Sequence, residues 1–538
     1  MSFINTANDI RNAIRKYDAN SIIIDLLKRL HTKHDGHHKS FAQPWILCLM
    51  LDWTLELAKT DETGIVASSD EVYEILNRIF NLQSKAIGLE VEGQASSNIF
   101  LKIRPFLLSQ LMFQREQMTH LYFMMRLHAI MSQSGSSGSY KIEFKRHTGI
   151  ELDDFIAFGY LMFYFFAEQR TSYSDYSQLI VKLYPAFSIK EIATMLNLVG
   201  ADIKSLSVDA KQWREGTPLS HMEYFSEPFT TRKPILLLPK GFSTPHSYVA
   251  TIGMSEMLLR VLKNNYGVFR EKFTKDYERY VAEIVQFFNP NAVTESALKA
   301  HYQVHGKQDK KVVDFLLSEH GKSVFIDAKG TEPHERLLYS ANPTLIKDKL
   351  KSSHLKAIEQ ACECAQVLED TGYPDNVPYD NRYALVVTHQ DFYLGDGRIL
   401  ADYLGTEHEG KITQLCAGKI PLANVHFLSI ENFEAITQVC KDKDVPLYEF
   451  LDFCKTSSEA PKTQKFDMSQ HIAAFAEHIG SSYSYPIGSA LVEQSFANFE
   501  SKLSNILGTS EAYWRQGGTR KIPEFLKCHQ ELTSQLQL

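Results

Sequence analysis

The chain has 538 residues, of which 44% are hydrophobic and 22% are charged, and its formal net charge is −7. This composition is typical of a globular protein with about two to four domains, and it excludes a broadly basic nucleic-acid coat protein. The seven cysteines, an odd number in a long chain, argue against a disulfide framework.

The sequence gives no indication of a membrane segment. Its N-terminal residues lack the apolar run that secretion requires. The longest apolar stretch, residues 155–166, has 12 residues, whereas a helix needs about 20 to cross a bilayer. We therefore expect a cytoplasmic protein with no membrane partner.

Residues 1–205 predict a helical array. Apolar residues recur with a spacing near 3.6 in residues 22–30 and 45–57. Residues 132–139 (SQSGSSGS) predict a flexible loop within the array. Three helix starts carry a capping box, in which Ser or Thr is followed three residues later by Glu. The pairs are Ser68 with Glu71, Thr148 with Glu151, and Ser188 with Glu191.

Four histidines lie close together early in the array, at His31, His34, His37 and His38. Histidines one helical turn apart can chelate a transition metal. The Asp-Gly step at residues 35–36 interrupts a helix there, so we interpret this segment as a solvated loop rather than a metal site.

The residue composition changes from about residue 219. There, β-forming residues are interrupted by prolines, which predicts two or three short strands. Helices are then expected over residues 255–263 and 268–288. The second of these carries an apolar face that is flanked by Glu278 and Glu283.

Residues 311–330, KVVDFLLSEHGKSVFIDAKG, predict a β-hairpin around which the rest of the chain is organised. If the hairpin folds symmetrically about His320 and Gly321, Asp314 lies opposite Asp327. Directly paired residues on antiparallel strands hold their Cβ atoms about 5 Å apart. Like charges placed so close destabilise the fold unless something neutralises them. A divalent metal ion is the natural candidate.

Alternation along the second strand predicts which side chains share a face. Phe325, Asp327 and Lys329 are expected on a face that projects away from the core. The residues at the alternate positions of the strand are expected to point into the core. These are Val324, Ile326 and Ala328.

The remaining elements predict an α/β sandwich with the order α-β-β-β-α-β-α-β-α. The expected elements are a strand in 294–303, a helix over 345–368, strands at 383–388 and 425–429, a helix at 431–439 and a linker at 455–465. The predicted domains are a helical sensor or regulatory domain (1–205), a segment of short strands and a connecting helix (206–264), a central α/β domain (265–454) and a small C-terminal helical appendage (466–538).

The hairpin resembles the PD-(D/E)xK motif of the nuclease superfamily with the restriction-endonuclease-like fold. Residues 313–314 (Val-Asp) and 326–329 (Ile-Asp-Ala-Lys) carry the resemblance, with valine in place of the proline. Residues 277–281 (YERYV) resemble the upstream helix that often contributes an acid, and a helix containing residues 360–361 (Gln-Ala) fits the order of elements. The resemblance covers about residues 265–450. It implies an α+β multidomain protein with a restriction-endonuclease-like core.

The resemblance implies a site for Mg²⁺ or Mn²⁺. Asp314, Asp327 and the backbone carbonyl of Ala328 would bind the ion through hard oxygen ligands. Lys329 would lower the pKa of the attacking water or neutralise the developing charge. Glu278 would complete the metal site or orient Lys329. The choice of Glu278 over Glu283 as the helix acid stays open in the sequence.

Basic residues are concentrated near the hairpin. Residues 299–356 contain 11 Lys or Arg and 7 Asp or Glu, a net charge of +4 in an acidic chain. Such a local patch suits a polyanion. The candidate phosphate contacts are Lys347, Lys349, Lys351 and His354.

These patterns predict a metal-dependent nuclease acting on DNA or RNA. The layout resembles bacterial anti-phage effectors, in which extra domains restrain the nuclease until an activator, such as a phage-derived protein, binds. The alternatives are an RNA- or tRNA-cleaving toxin, a restriction or repair endonuclease, and a non-catalytic sensor or scaffold. A nucleotide-hydrolysing motor is excluded, because Leu316 stands where a phosphate-binding loop needs glycine. The oligomeric state is open.

Overall fold

The computed structural model describes residues 2–32, 43–61, 63–87, 99–114, 117–133, 137–168, 173–374, 377–459, 462–483 and 486–536. Over these ranges the chain is mostly helical and contains two small mixed sheets, which agrees with the predicted α+β class. His34, His37 and His38 lie outside the described residues, as does the middle of the predicted loop at 132–139. None of the described helices is long and apolar enough to cross a membrane.

The N-terminal region is helical, as predicted. Its helices are α1 (Phe3–Ile14), α2 (Ala19–His31), α3 (Pro44–Leu57), α4 (Ser69–Ala86), α5 (Ile99–Met112), α6 (Gln117–Met131), α7 (Ser137–Thr148), α8 (Leu152–Glu168), α9 (Tyr176–Leu183), α10 (Ile189–Val199) and α11 (Ile203–Gly216).

Two of the three predicted capping boxes are confirmed, at the starts of α4 and α10. The third is wrong. Thr148 is the last residue of α7, and its hydroxyl donates to the carbonyl of Phe144 one turn back. The next helix starts instead from Glu151, whose backbone carbonyl accepts from the Phe155 N–H.

The first sheet joins the end of the helical array to the next segment. Its strands are β1 (Ser174–Asp175), β2 (Gly200–Ala201), β3 (Ile235–Leu238) and β4 (Gly241–Ser243), in the order β1-β4-β3-β2. Only β2 and β3 are parallel. The predicted short strands after residue 219 are therefore confirmed. Two longer helices follow, α12 (Ser247–Asn265) and α13 (Phe269–Phe288).

The second sheet has the order β5-β6-β7-β8-β9. Its first three strands are antiparallel neighbours, while β7, β8 and β9 run parallel. The strands are β5 (Val293–Thr294), β6 (Phe315–Glu319), β7 (Lys322–Lys329), β8 (Arg382–Thr388) and β9 (Val425–Ser429). The helices around them are α14 (Glu295–Val304), α15 (Glu335–Tyr339), α16 (Pro343–Leu350), α17 (His354–Asp370), α18 (Gly397–Cys416) and α19 (Ile430–Lys443).

Helices cover both faces of the second sheet. Ile326 and Ala328 of β7 belong to a core that includes residues of α13 and α19. Phe325, on the other face of the strand, is buried in a second core with residues of α17 and α18. The prediction that the Phe325 and Asp327 face projects away from the core is therefore wrong. The sheet is buried on both sides, as parallel strands between helices commonly are.

Three elements differ from the predictions. Residues 295–303 form nearly all of α14 rather than a strand, because Leu298 and Tyr302, four residues apart, are buried on one helical face. The single helix expected over 345–368 is two helices, since Ser353 has a non-helical backbone. Residues 455–459 of the predicted linker at 455–465 are the end of a helix, α20 (Leu447–Glu459). Helix α18 lies between β8 and β9, where the predicted order of elements places a helix.

The C-terminal helices are α21 (Met468–His478), α22 (Ala490–Gly517) and α23 (Ile522–Gln535). Helix α22 packs against α6, α8 and α9, and α23 packs against α9 and α10. Val492 and Phe499 of α22 belong to the same core as the N-terminal Phe155. The C-terminal segment therefore shares a core with the N-terminal helices. The predicted domain boundaries stay predictions.

Candidate active site

The hairpin of β6 and β7 has the predicted symmetry. His320 and Gly321, the two turn residues, have positive φ values of 48° and 73°. A two-residue turn with both residues in this region matches the twist of the flanking strands. The register pairs Ser318 with Ser323 and Phe315 with Ile326. Continuing that register by one residue places Asp314 beside Asp327.

Asp314 lies immediately before β6 and contacts the end of β7. Its Oδ2 atom accepts a hydrogen bond from the backbone N–H of Ala328, with an N···O distance of 2.6 Å. Burial and the neighbouring charge of Asp327 raise the pKa of the Asp314 carboxyl to about 8. The two acidic side chains thus meet at the end of the hairpin.

Asp327 is the most buried member of the site, with only 1% of its surface exposed. Its carboxylate forms an ion pair with Lys329. Apart from Lys329 and the neighbouring Asp314, no described residue is a hydrogen-bond partner of either Asp327 oxygen. Burial raises the pKa of Asp327, and the charge of Lys329 opposes that rise. A buried carboxylate in this state has acceptor capacity left for a cation.

Gln360 of α17 holds the lysine in place. Lys329 Nζ donates to Gln360 Oε1 at 3.1 Å, and Gln360 Nε2 donates to the Val312 carbonyl at 3.0 Å. Both polar atoms of the Gln360 amide therefore form hydrogen bonds. The bond from Nε2 fixes the orientation of the amide, so that Oε1 points toward the Lys329 ammonium. The sequence placed Gln360 on the helix after the hairpin but gave no reason to assign it this contact.

Glu278 of α13 faces the same cluster. Burial raises the pKa of the Glu278 carboxyl, Lys329 opposes the rise, and Glu295 and Asp327 add to it. Glu283 is exposed and lies five residues later, about 140° further around the helix. The placement therefore favours Glu278 over Glu283 as the helix acid, which the sequence left open.

The carboxylates at the end of the hairpin are few in number for a divalent metal site. In the described ranges, no three His, Cys, Asp or Glu side chains are close enough together to hold a metal ion. Mg²⁺ commonly binds only one or two protein carboxylates and completes its octahedron with waters and substrate phosphate. Asp314 and Asp327 fit that pattern. The Ala328 carbonyl remains the predicted third ligand.

The predicted phosphate contacts differ in their placement. Lys349 and Lys351 are exposed at the end of α16, and Lys347 is partly exposed and lies 3.6 Å from Asp348. His354 is completely buried between the rings of Phe392 and Phe427. Burial lowers the pKa of His354 to about 3, so the ring is neutral. The prediction that His354 contacts phosphate is therefore wrong.

Lys356 is a further basic residue near the carboxylates that the sequence did not single out. It is exposed on α17, and it stands four residues before Gln360, on the same helical face. Burial raises the pKa of Asp327, and Lys356 is one of the cations that oppose this rise. The sequence does show that Lys356 lies one helical turn before Gln360. That spacing places Lys356 near the carboxylates only once Gln360 is known to contact Lys329.

No protein-family model, no curated protein and no solved structure matches this chain.

Proposed function

We propose that the chain is a metal-dependent nuclease of the PD-(D/E)xK type that hydrolyses phosphodiester bonds. The observation that carries the proposal is the cluster of Asp314, Asp327, Lys329 and Glu278 at one end of the hairpin. Three acids and one lysine meet there, and Lys329 is the one cation in ion-pair contact with the most buried carboxylate among the described residues.

The surrounding elements support a restriction-endonuclease-like core. A helix (α13) precedes three antiparallel strands, and a helix (α17) leads to a parallel strand beside β7. This order agrees with the one that the sequence resemblance implies. Helices on both faces of the mixed sheet hold the hairpin rigidly, which a preorganised site requires.

The residues divide the chemistry of hydrolysis among them. Asp314 and Asp327 would hold Mg²⁺ or Mn²⁺, which supplies an activated water and neutralises charge on the phosphate. Lys329 places its ammonium beside Asp327, where it can neutralise the negative charge that develops during attack. Gln360 fixes the direction of that ammonium. Glu278 accepts a proton or orients Lys329 from the adjacent helix.

The substrate is a nucleic acid held through its phosphates. Lys349 and Lys351, at the end of α16, and Lys356, on α17, are exposed cations. They would bind the backbone without reading sequence. DNA is the expected substrate, and RNA, including tRNA, is the alternative.

We further propose that the nuclease is a regulated anti-phage effector in the cytoplasm. The helical N-terminal and C-terminal segments share one core and carry no catalytic pattern of their own. They would restrain the nuclease until an activator shifts the population to a competent state.

The test is expression of the wild-type chain and of Asp327→Ala in cells with and without phage challenge. Total DNA and RNA, with tRNA resolved separately, are then examined for new ends. New DNA ends that appear only after challenge, and only with the wild type, support the proposal. Constitutive DNA degradation favours a restriction or repair enzyme, and selective tRNA loss favours an RNA-cleaving toxin. Identical outcomes for both chains would indicate an inactive scaffold.

A further inference from the structure

A cleft of about 520 Å³ lies between the N-terminal helices and the carboxyl end of the second sheet. One side is formed by α6 and α12. The other is formed by the loops after β7 and β8 and by the first turn of α19, which contribute Glu332, His389 and Glu431. Small-molecule sites in proteins have volumes of about 300–1,000 Å³. The cleft is separate from the candidate active site, since Asp314 and Asp327 are not among its lining residues.

The cleft has an excess of acidic side chains. Two of its cations are already neutralised, Lys263 by Glu332 and Arg126 by the buried Glu434. A third cation, Arg260, pairs with Glu256. Six acidic and four basic side chains line the cleft, and Arg126 takes its partner from outside the lining. The acidic side chains are Glu227, Glu256, Glu332, Glu335, Asp391 and Glu431.

Two of these carboxylates are close enough to repel each other. Burial, followed by the charge of Glu227, raises the pKa of Glu256 to about 8. Burial also raises the pKa of Glu227. Arg260 offsets part of this repulsion, with its guanidinium 3.3 Å from Glu256, but it also donates to the Thr231 carbonyl. The Glu256 side chain is 24% exposed, and this surface faces the cleft.

His389 provides an independent indication of a ligand. It is buried against Phe273 and lines the cleft, yet neither ring nitrogen has a hydrogen-bond partner among the described residues. Its Nδ1 atom lies 3.4 Å from Glu332 without forming a hydrogen bond. Burial lowers the pKa of His389 to about 3, so the ring is neutral. A neutral imidazole offers one lone pair and one N–H.

Aromatic side chains complete the walls. Trp213, Phe229 and Tyr248 line the cleft together with the charged groups. The guanidinium of Arg232 already lies over two of these rings, 5.8 Å from that of Trp213 and 5.5 Å from that of Phe229. Aromatic faces attract cations, most strongly where water is excluded.

We propose that this cleft binds a small organic cation of the polyamine or guanidinium class. The surplus of carboxylates disfavours an anion. A bare metal ion is disfavoured because the described ranges contain no three metal-ligating side chains within reach of one ion. An extended organic cation spreads its charge along the cleft, reaches several carboxylates and contacts the aromatic walls.

The test is isothermal titration calorimetry on the full chain with spermidine, agmatine, Mg²⁺ and ATP. We expect spermidine or agmatine to bind saturably at one site, and neither Mg²⁺ nor ATP to compete for it. Glu256→Gln should weaken this binding roughly tenfold or more, because the bound cation loses a partly buried carboxylate that it would otherwise hold in its ionised form. Glu271→Gln is the matched control, since Glu271 is exposed on α13 and pairs with Lys275. It should leave the affinity unchanged.

Glu335→Gln provides a second variant that leaves the interior intact, because Glu335 is exposed where it lines the cleft. We expect it to weaken binding several-fold. The proposal is overturned if neither cation binds, if ATP competes for the site, or if Glu256→Gln and Glu335→Gln bind as tightly as the wild type. If Glu256→Gln does not fold, the result with Glu335→Gln decides. None of these measurements depends on nuclease activity.

Discussion

Two clusters of buried charge differ in how their carboxylates are satisfied. In the N-terminal core, Arg11 donates to both oxygens of Glu56. Arg214 donates to Glu56 at 3.0 Å and to Glu223 through a second nitrogen at 2.8 Å. At the hairpin, three acids lie near a single lysine, which is in ion-pair contact with Asp327, the most buried of the three.

The difference separates a structural cluster from one with capacity for a ligand. In this hydrogen-bonded cluster the two guanidinium groups, of Arg11 and Arg214, match the two carboxylates of Glu56 and Glu223, and each group stabilises the next. The hairpin cluster has surplus negative charge in a buried place, which lowers the stability of the fold unless a cation binds. Perturbed acids of this kind concentrate at functional sites. The predictions below test whether the two clusters differ in this way.

The largest expected effect is on catalysis at the hairpin. Asp327→Asn and Lys329→Ala should each lower cleavage by at least roughly a hundredfold, because each removes a charge that the transition state requires. Cleavage of labelled DNA and RNA with Mg²⁺ measures the loss. Glu283→Gln, an exposed acid on α13, is the control and should keep full activity. Full activity in either site variant would remove the hairpin from the active site.

The second effect is on stability, and it should separate the clusters most clearly. Glu56→Gln leaves Arg11 and Arg214 without their shared partner, so we expect the free energy of unfolding to fall by about 3–5 kcal/mol. Asp327→Asn removes surplus charge and should cause no loss, or a small gain. Urea denaturation of both variants without metal measures the difference. Equal losses in the two variants would mean that the hairpin acids are structural.

The third effect concerns pH. Burial and the charge of Asp327 raise the folded-state pKa of Asp314 to about 8, against about 3.9 in an unfolded chain. Between these values the folded form holds a proton that the unfolded form has lost, so stability falls as pH rises from about 4 to 8. Asp314→Asn should flatten this dependence. Denaturation at pH 5 and pH 8 without metal measures it, and a dependence that survives the substitution would contradict the assignment.

The smallest effect is expected at Gln360, which acts through Lys329. Gln360→Leu should lower kcat roughly tenfold and leave KM unchanged, because the ammonium loses its acceptor but the phosphate contacts persist. The pH profile should also shift as the environment of Lys329 changes. Gln360→Glu keeps the acceptor and should retain more activity than leucine. If both variants behave alike, Gln360 does not position the lysine.

Local signals in the sequence predicted the hairpin well. A two-residue turn and an alternating apolar pattern fix the register, because a shift of one residue would reverse every side chain. His320 and Gly321 at the turn and the two capping boxes depend on neighbours within a few residues. Features of this kind can be read from the sequence.

Features that depend on distant packing could not be predicted. His354 lies in a basic stretch that suggested an exposed surface, but Phe392 and Phe427 enclose it from elsewhere in the chain. The Gln360 contact requires α17 to pack on β7, which no local pattern specifies. The burial of Phe325 also depends on α17 and α18, which cover the second face of the sheet.

The most direct test of the central claim is the binding of Mn²⁺ to the metal-free protein, followed by electron paramagnetic resonance. The hairpin acids should bind Mn²⁺ saturably in the wild type and in Glu283→Gln. Asp327→Asn and Asp314→Asn should each lose this binding, because the ion needs both carboxylates. Equal binding in all four proteins, or no binding to the wild type at millimolar Mn²⁺, would contradict a metal-dependent active site at the hairpin.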